Sequence, residues 1–201
     1  MNRDRRIDMR SHERLFDDFF KIDEVIVAHR RQDGAMSAYE RHLVFERGDA
    51  VAVLLFNAEA RTVVMVEQFR VPALIGRRRY DPATTNGWIV EAVAGAIDES
   101  ESAQHAVVRE TLEETGYQIE SPTLIGRFFA SPGGSSERIF LYFARVSDGR
   151  RLGEGGGLAG EDISVLQVGV DELFERLAKG LIEDCKLAIA AYWLQNNIDR
   201  L

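Results

Sequence analysis

The chain holds a single cysteine, Cys185, so no intrachain disulfide can form, and a reducing compartment, the cytoplasm, is expected. Cys185 sits in an apolar segment and reads as a small core residue rather than a nucleophile. No apolar run approaches the roughly 18 residues of a membrane-spanning helix, so no membrane association is expected. The first 20 residues are densely charged and lack an apolar stretch, so no signal peptide is expected either. Positive charge is in deficit, with 25 Lys and Arg against 33 Asp and Glu and a net charge of −8. That balance disfavours a surface built to grip nucleic acid. It does not exclude a small anionic substrate, because a bound divalent cation reverses the local field. Proline is scarce: two of the four prolines fall in 71–86, which also holds Arg77, Arg78 and Arg79 and reads as a loop.

What remains is an ordinary globular composition, 45% hydrophobic and 29% charged over 201 residues, enough for one domain with a sizeable core. Short apolar or alternating runs predict strands at 22–30, 39–46, 50–56, 62–69, 88–93, 123–130, 138–146 and 163–168. Residues 147–162 form a Gly-rich loop ending in Glu161-Asp162, with a composition that permits lid motion. Helices are expected over about 102–115, about 171–179 with Asp171 as N-cap and Gly180 just past the end, and about 184–196, where Trp193 packs on the sheet. Many strands and few helices, without regular βαβ alternation, indicate an α+β fold with a mixed sheet.

The helix at 102–115 carries the chemistry. At 100° per residue, Val108, Thr111, Leu112 and Thr115 fall on one side and read as core-facing. Glu110 and Glu114 fall opposite, about 40° apart, with Glu113 adjoining. Like charges four residues apart destabilise a helix by about 0.2–0.5 kcal/mol per pair. Arg109 can relieve part of this through Glu113, and the rest requires solvent or a cation. Oxygen ligands in this arrangement suit a hard divalent ion such as Mg²⁺. By itself the pattern is more often that of a solvated acidic face.

The surrounding residues decide between the two. Gly95, Glu101, Arg109, Glu110, Glu113, Glu114 and Gly116 stand at the spacing Gly-x5-Glu-x7-Arg-Glu-x2-Glu-Glu-x-Gly. This resembles the Nudix box at all seven fixed positions, a chance match on the order of one in 10⁸ per site at residue frequencies near 6%. Thr111 and Tyr117 stand at the two bulky apolar positions, and both can pack. The resemblance implies a Nudix-type α/β/α sandwich with a mixed sheet, plus an N-terminal antiparallel β segment at 1–48 before a hydrolase domain at 49–201. It implies Mg²⁺, with Mn²⁺ as a substitute, held by Glu110, Glu113, Glu114 and the main-chain carbonyl of Ala94. Arg109 would orient the glutamates, Glu101 would hold Arg109, and Gly95 and Gly116 would serve backbone turns. The reaction implied is hydrolysis of a pyrophosphate bond, with a carboxylate taking the proton from water. Glu161 is the first candidate for that base, Glu137 its rival, and Glu113 takes part from within the box.

Outside the box, Phe45-Glu46-Arg47-Gly48, Gln68-Phe69-Arg70, the Glu91–Gly95 stretch, Ser131–Gly134 and Glu161-Asp162-Ile163 look like the ADP-ribose and GDP-mannose pyrophosphatase branch. The resemblance implies substrate contacts from Arg70, Ser131 and Glu91. It places Phe19, Arg41 and His42 where related enzymes reach the base from a partner subunit. That branch is typically a homodimer with exchanged N-terminal strands. Asp33–Ser37 and Gly133–Arg138 look more like ADP-ribose enzymes, whereas Gly155-Gly156-Gly157 and Asp184-Cys185-Lys186 look more like GDP-mannose enzymes. Two other classes stay open: a hydrolase of (oxidised) nucleoside triphosphates, and a non-catalytic nucleotide-sensing module.

Overall fold

In the computed structural model the described residues are 6–201, and the chain divides into two compact units. One comprises the chain up to Asp49 together with Phe129–Arg138, and the other Ala50–Phe128 with Ile139–Leu201.

The first unit is built on three antiparallel strands, β1 (Ile7–Asp17), β2 (Lys21–His29) and β3 (Glu40–Glu46), in the order β1-β2-β3. Strand β1 was not foreseen. Its charges (Asp8, Arg10, Glu13, Arg14, Asp17) hide the alternation, and it is exposed along nearly its whole length. It holds to β2 by register and ion pairs instead. His12 and Arg14 both grip Asp23, a buried carboxylate that their hydrogen bonds lower to about 2. Ser131, Glu137 and the turn between them belong to this unit, with Phe45 N–H donating to Gly134 O at 2.8 Å.

The second unit carries a seven-stranded mixed sheet. Its strands are β4 (Ala50–Asn57), β5 (Thr62–Phe69), β6 (Trp88–Glu91), β7 (Val93–Ala96), β8 (Thr123–Phe129), β9 (Arg138–Val146) and β10 (Ile163–Gly169). The main path is β10-β5-β4-β9-β8, with β6 on β5 and β7 on β4. Strands β4 and β9 pair in parallel; β4–β5, β4–β7, β5–β6 and β5–β10 are antiparallel. Along β4, Ala52, Leu54 and Phe56 enter one core while Val51, Val53 and Leu55 enter another. Burial on both faces explains the unbroken apolar run, which a one-faced strand would not show. Helices α3 (Val170–Ala178) and α4 (Cys185–Asn197) supply the first core, with Trp193 against Phe143 at 5.0 Å between rings. Helix α2 (Ala103–Thr115) supplies the second. The result is the expected α/β/α arrangement with a mixed sheet.

Several local expectations are corrected. Residues 71–86 are not all loop: α1 spans Val71–Arg78. Pro72 is tolerated in its first turn, where an amide has no helical partner, and Arg77 and Arg78 suit its C-terminal end. The run 88–93 is two strands, since Ala92 leaves β6 to donate its N–H to Asp184 at 3.0 Å. The N-cap of α3 is Gly169, and Asp171 lies in the first turn. Cys185 is exposed, the first residue of α4, rather than in the core.

Asp184 ties this unit together. Its buried carboxylate caps α4 through Lys186 N and Leu187 N, both at 3.2 Å, and receives Lys186 Nζ at 2.7 Å besides Ala92 N. Asp184→Ala leaves these donors unmet, and an unfolding midpoint in urea should report a loss of about 2–4 kcal/mol. Asp184→Asn, which keeps an acceptor oxygen, should lose clearly less.

Candidate active site

Helix α2 starts at Ser102, whose hydroxyl accepts from His105 N, and ends at Gly116 in the left-handed conformation with φ 73°. Its buried residues are Ala106, Val107, Thr111, Glu114 and Thr115. The face is therefore turned from the expected one: Leu112 is 42% exposed, and Glu114 is only 5% exposed. Glu114 lies against β7, where its Oε2 accepts from Ala94 N at 3.3 Å. Glu110 approaches the same strand so closely that a Cβ at Gly95 would stand 1.9 Å from its carboxyl carbon. Gly95 thus serves space rather than a turn. It lies within β7, and any side chain there would evict Glu110.

Arg109 holds the cluster's outer rim. Its Nε and Nη2 donate to Glu101 at 3.1 and 2.9 Å, its Nη2 to Ala96 O at 3.1 Å, and its Nη1 to Glu110 at 2.7 Å and Glu113 at 3.1 Å. These bonds, Glu101's first, hold the guanidinium above its ordinary range. Burial raises the Glu110 carboxyl despite Arg109, with Glu113 and Glu161 adding to the rise. Burial pushes Glu114 up to about 8; Glu110 and Glu161 raise it further, while the Ala94 amide and Arg70 oppose. Glu161 therefore lies near enough to Glu110 and Glu114 for its charge to act on both.

A second chain of charges runs behind the site. Arg70, at the end of β5, donates from Nε to Glu91 Oε2 at 2.7 Å, and Lys186 Nζ reaches Glu91 Oε1 at 3.2 Å and Asp184 Oδ1 at 2.7 Å. Burial alone would lower the Lys186 ammonium; the carboxylates of Asp184 and Glu91 outweigh it and hold it raised. Lys186 was not assigned a role from sequence, although Asp184-x-Lys186 at a helix start was a readable signal.

The Gly-rich loop is docked over half its length. Gly156 N donates to Glu114 O at 2.8 Å, Gly157 N to Glu113 O at 3.0 Å and Leu152 N to Gly116 O at 2.8 Å. Gly155 has φ 77°, and a Cβ there would meet Glu114 O at 2.3 Å, so only glycine allows this approach. The loop therefore satisfies the carbonyls that a helix leaves open at its C-terminus. Beyond it, Glu161 accepts from Leu158 N at 2.7 Å. A cavity of about 510 Å³ opens beside Glu161 and is lined by Gln68, Phe69, Arg70, Trp88 and Asp162. A larger hollow of about 660 Å³, around Arg145, Trp193 and Leu201, holds none of the α2 carboxylates, so chemistry and not size locates the site.

The other expected residues belong to the N-terminal unit. There Glu137 pairs with Arg47 at 3.5 Å, and Ser131 O accepts from Gly134 N and Ser135 N at 3.0 and 2.8 Å. His42 stands 3.9 Å from Glu40, and the highly exposed Phe19 meets Phe20 edge-on at 4.7 Å.

As the side chains stand, no three His, Cys, Asp or Glu among the described residues are arranged to hold an ion. Arg109 occupies oxygens of Glu110 and Glu113. The donor chemistry still fits a hard divalent cation: crowded carboxylates, two of them raised by burial and mutual repulsion, in a recess that Gly95 leaves open.

The Glu114 shift sets a pH dependence for protein freed of metal by EDTA. Its folded-state value, about 8, lies above the ordinary carboxylate value, so the folded chain holds this proton more tightly than the unfolded chain. Its contribution is complete below the ordinary carboxylate range and is lost as pH rises through about 8. The melting temperature of EDTA-treated protein should fall across that window, and Glu114→Gln should flatten the fall. A parallel curve for the variant would show that another group is responsible.

Comparison with known proteins agrees with this geometry. The NUDIX domain family matches residues 46–184. The chain is 33% identical over 181 residues to a GDP-mannose pyrophosphatase of Cronobacter sakazakii, covering 90% of this chain and 91% of the relative. It is 32% identical over 183 residues to GDP-mannose pyrophosphatases of Escherichia coli and Shigella boydii, covering 91% of this chain and 92% of each relative. A box helix with its glutamates gathered on β7, in a fold of this kind, accords with those matches: the chain belongs to the Nudix family, as a hydrolase of its pyrophosphatase branch.

Proposed function

We propose that this hydrolase cleaves the pyrophosphate bond of a nucleoside diphosphate sugar, GDP-mannose first, to nucleoside monophosphate and sugar phosphate. The observation that carries the reading is the crowding of Glu110, Glu114 and Glu161 beside Arg70, in a chain whose similar proteins over nine-tenths of its length bear the GDP-mannose pyrophosphatase name. The ADP-ribose-like stretches Asp33–Ser37 and Gly133–Arg138 keep ADP-ribose as the second substrate to assay.

In this reading Mg²⁺, or Mn²⁺ in its place, would be held by Glu110, Glu113, Glu114 and the carbonyl of Ala94. When bound it neutralises charge on the phosphoryl oxygens and lowers the pKa of the attacking water. Glu161 accepts the proton of that water. Arg70, braced by Glu91, places its remaining N–H groups toward the diphosphate, a fork that suits phosphate oxygens. A cation at these carboxylates would compete with Arg109 for oxygens of Glu110 and Glu113, and Glu101 would still hold the guanidinium. Glu137 is the rival for the role of proton acceptor, Ser131 is a further substrate contact, and Phe19 and His42 reach the base of the nucleotide from a partner subunit. The exposed apolar side chains of β1 to β3, among them Ile7, Phe16 and Leu43, favour a homodimer formed through 1–48. The enzyme works in the cytoplasm, consistent with its lone cysteine.

With Mg²⁺ and GDP-mannose, GMP and mannose 1-phosphate should appear in equal amounts. Glu114→Gln should cut kcat by orders of magnitude with the fold intact, and Glu161→Gln by about 10²–10⁴ with resting Mn²⁺ binding preserved in calorimetry. Near-normal turnover by either variant removes that residue from its role. Failure to release a nucleoside monophosphate from any nucleotide sugar in a panel would overturn the reading. Sedimentation velocity should give a dimer that becomes a monomer when residues 1–48 are deleted.

A further inference from the structure

The hollow of about 660 Å³ lies within the second unit, toward the C-terminal end of α4, and the hydrolytic chemistry leaves it unused. Strand alternation fixes one side of it. Phe143 enters the core beneath α4, and Arg145, two residues on, points to the same face. There the Arg145 guanidinium donates from Nη2 to Leu201 O, past the end of that helix. Trp193 of α4 is partly buried, with its ring centroid 5.0 Å from that of Phe143, and Asn197 follows one helical turn later. Arg200 also lines the hollow and has no ion pair among the described residues. Arg150 lines it while paired with Glu120 at 2.8 Å.

Three guanidinium groups thus face one side-chain carboxylate, Glu120, in a chain whose net charge is −8. The excess stays positive with the Leu201 carboxyl group counted. A concave positive site in an acidic protein draws small anions to itself. Each guanidinium carries five N–H donors, and Arg145 and Arg150 spend only part of theirs on Leu201 and Glu120. The remaining forks suit phosphate oxygens. Trp193 adds an aromatic surface on which a flat base can stack. The Asn197 amide nitrogen donates to Trp193 O at 2.8 Å, which leaves its oxygen as an acceptor for base N–H groups. The volume falls within the range of about 300–1,000 Å³ that small-molecule sites occupy. A bare inorganic anion would use the arginines and leave the ring idle. We propose that this hollow is a second nucleotide site, which takes a nucleoside monophosphate with its phosphate on Arg145 and Arg200 and its base against Trp193. It holds none of the α2 carboxylates and requires no metal, so it stands apart from the hydrolytic reading.

The test uses the full chain in EDTA, so that no ion assists binding at the α2 carboxylates. The protein has two tryptophans, and Trp88→Phe leaves Trp193 as the only emitter. GMP and AMP should each change Trp193 emission saturably. Arg70→Ala, which removes a proposed active-site contact, should leave that titration unmoved. Arg200→Ala should weaken GMP binding about tenfold, and Arg145→Ala combined with it about a hundredfold. Guanosine, without the phosphate, should bind at least about tenfold more weakly than GMP. No Trp193 response to either nucleotide overturns the proposal, as does a response that the arginine substitutions leave unchanged. Inorganic phosphate binding as tightly as GMP also overturns it, since the hollow would then take an anion and no base. If the double variant fails to fold, Arg200→Glu takes its place, with a loss larger than that of Arg200→Ala expected. If Trp88→Phe fails to fold, calorimetry of the wild type and of Arg200→Ala in EDTA makes the same comparison. Absence of hydrolysis with every nucleotide sugar would remove the functional reading and leave this titration decisive for the hollow.

Discussion

A carboxylate taken out of water against a backbone amide is the constraint on which the hydrolase unit is built. Glu114 is buried on the core face of α2, opposite Ala94 N–H and close to Glu110 and Glu161. Removing an ionised carboxylate from solvent is costly unless the charge is paired, and here the pairing is incomplete. The folded chain tolerates the arrangement by raising the group's proton affinity and by placing Arg70 and Arg109 near the cluster. In the reading proposed above, a doubly charged ion sharing the recess would offset that cost.

The same constraint organises the neighbours. Strand β7 must bring Gly95 and Ala94 under α2, and its antiparallel register on β4 does so by pairing Ala94 with Ala52 and Gly95 with Val51. Both core faces of β4 are then filled, which fixes that strand between two helical layers. The Asp184 carboxylate secures the Ala92 break between β6 and β7, so α4 helps to hold β7 in register from behind. Substituting at Ala92 or Asp184 therefore acts on the glutamates without touching them.

Much of this was legible in the chain. The box spacing located α2 to within a residue, because the motif is long and Gly116 marks its end, whereas Ser100 and Ser102 read equally as its cap and only the structure selects Ser102. Burial on both faces made β4 and β5 readable as apolar runs. Strand β1 was not readable, because its stability comes from pairing and from Asp23 rather than from an apolar face. Helix α1 was hidden by Pro72 and three arginines, features as common in loops as in first and last turns. On α2 itself, periodicity placed Leu112 inward and Glu114 outward, since a carboxylate is ordinarily a surface group. Only the tertiary pairing with Ala94 reverses that assignment. The Arg70–Glu91–Lys186–Asp184 chain joins residues over a hundred positions apart, which no local pattern encodes.

The docking of the Gly-rich loop bears on how this sequence can change. Because Leu152, Gly156 and Gly157 are fastened to the end of α2, the tether carrying Glu161 begins only after Gly157 and ends where β10 starts at Ile163. Its five residues reach at most about 18 Å even when fully drawn out. Upstream of Leu152 the chain is tied as well, since Arg150 O accepts from Gln118 N and Asp148 accepts from the Tyr117 hydroxyl, so added length there would strain those contacts and not the reach of Glu161. The same addition after Gly157 would slacken the leash, and a carboxylate on a slack leash samples a larger volume and spends less of its time at the reacting atoms.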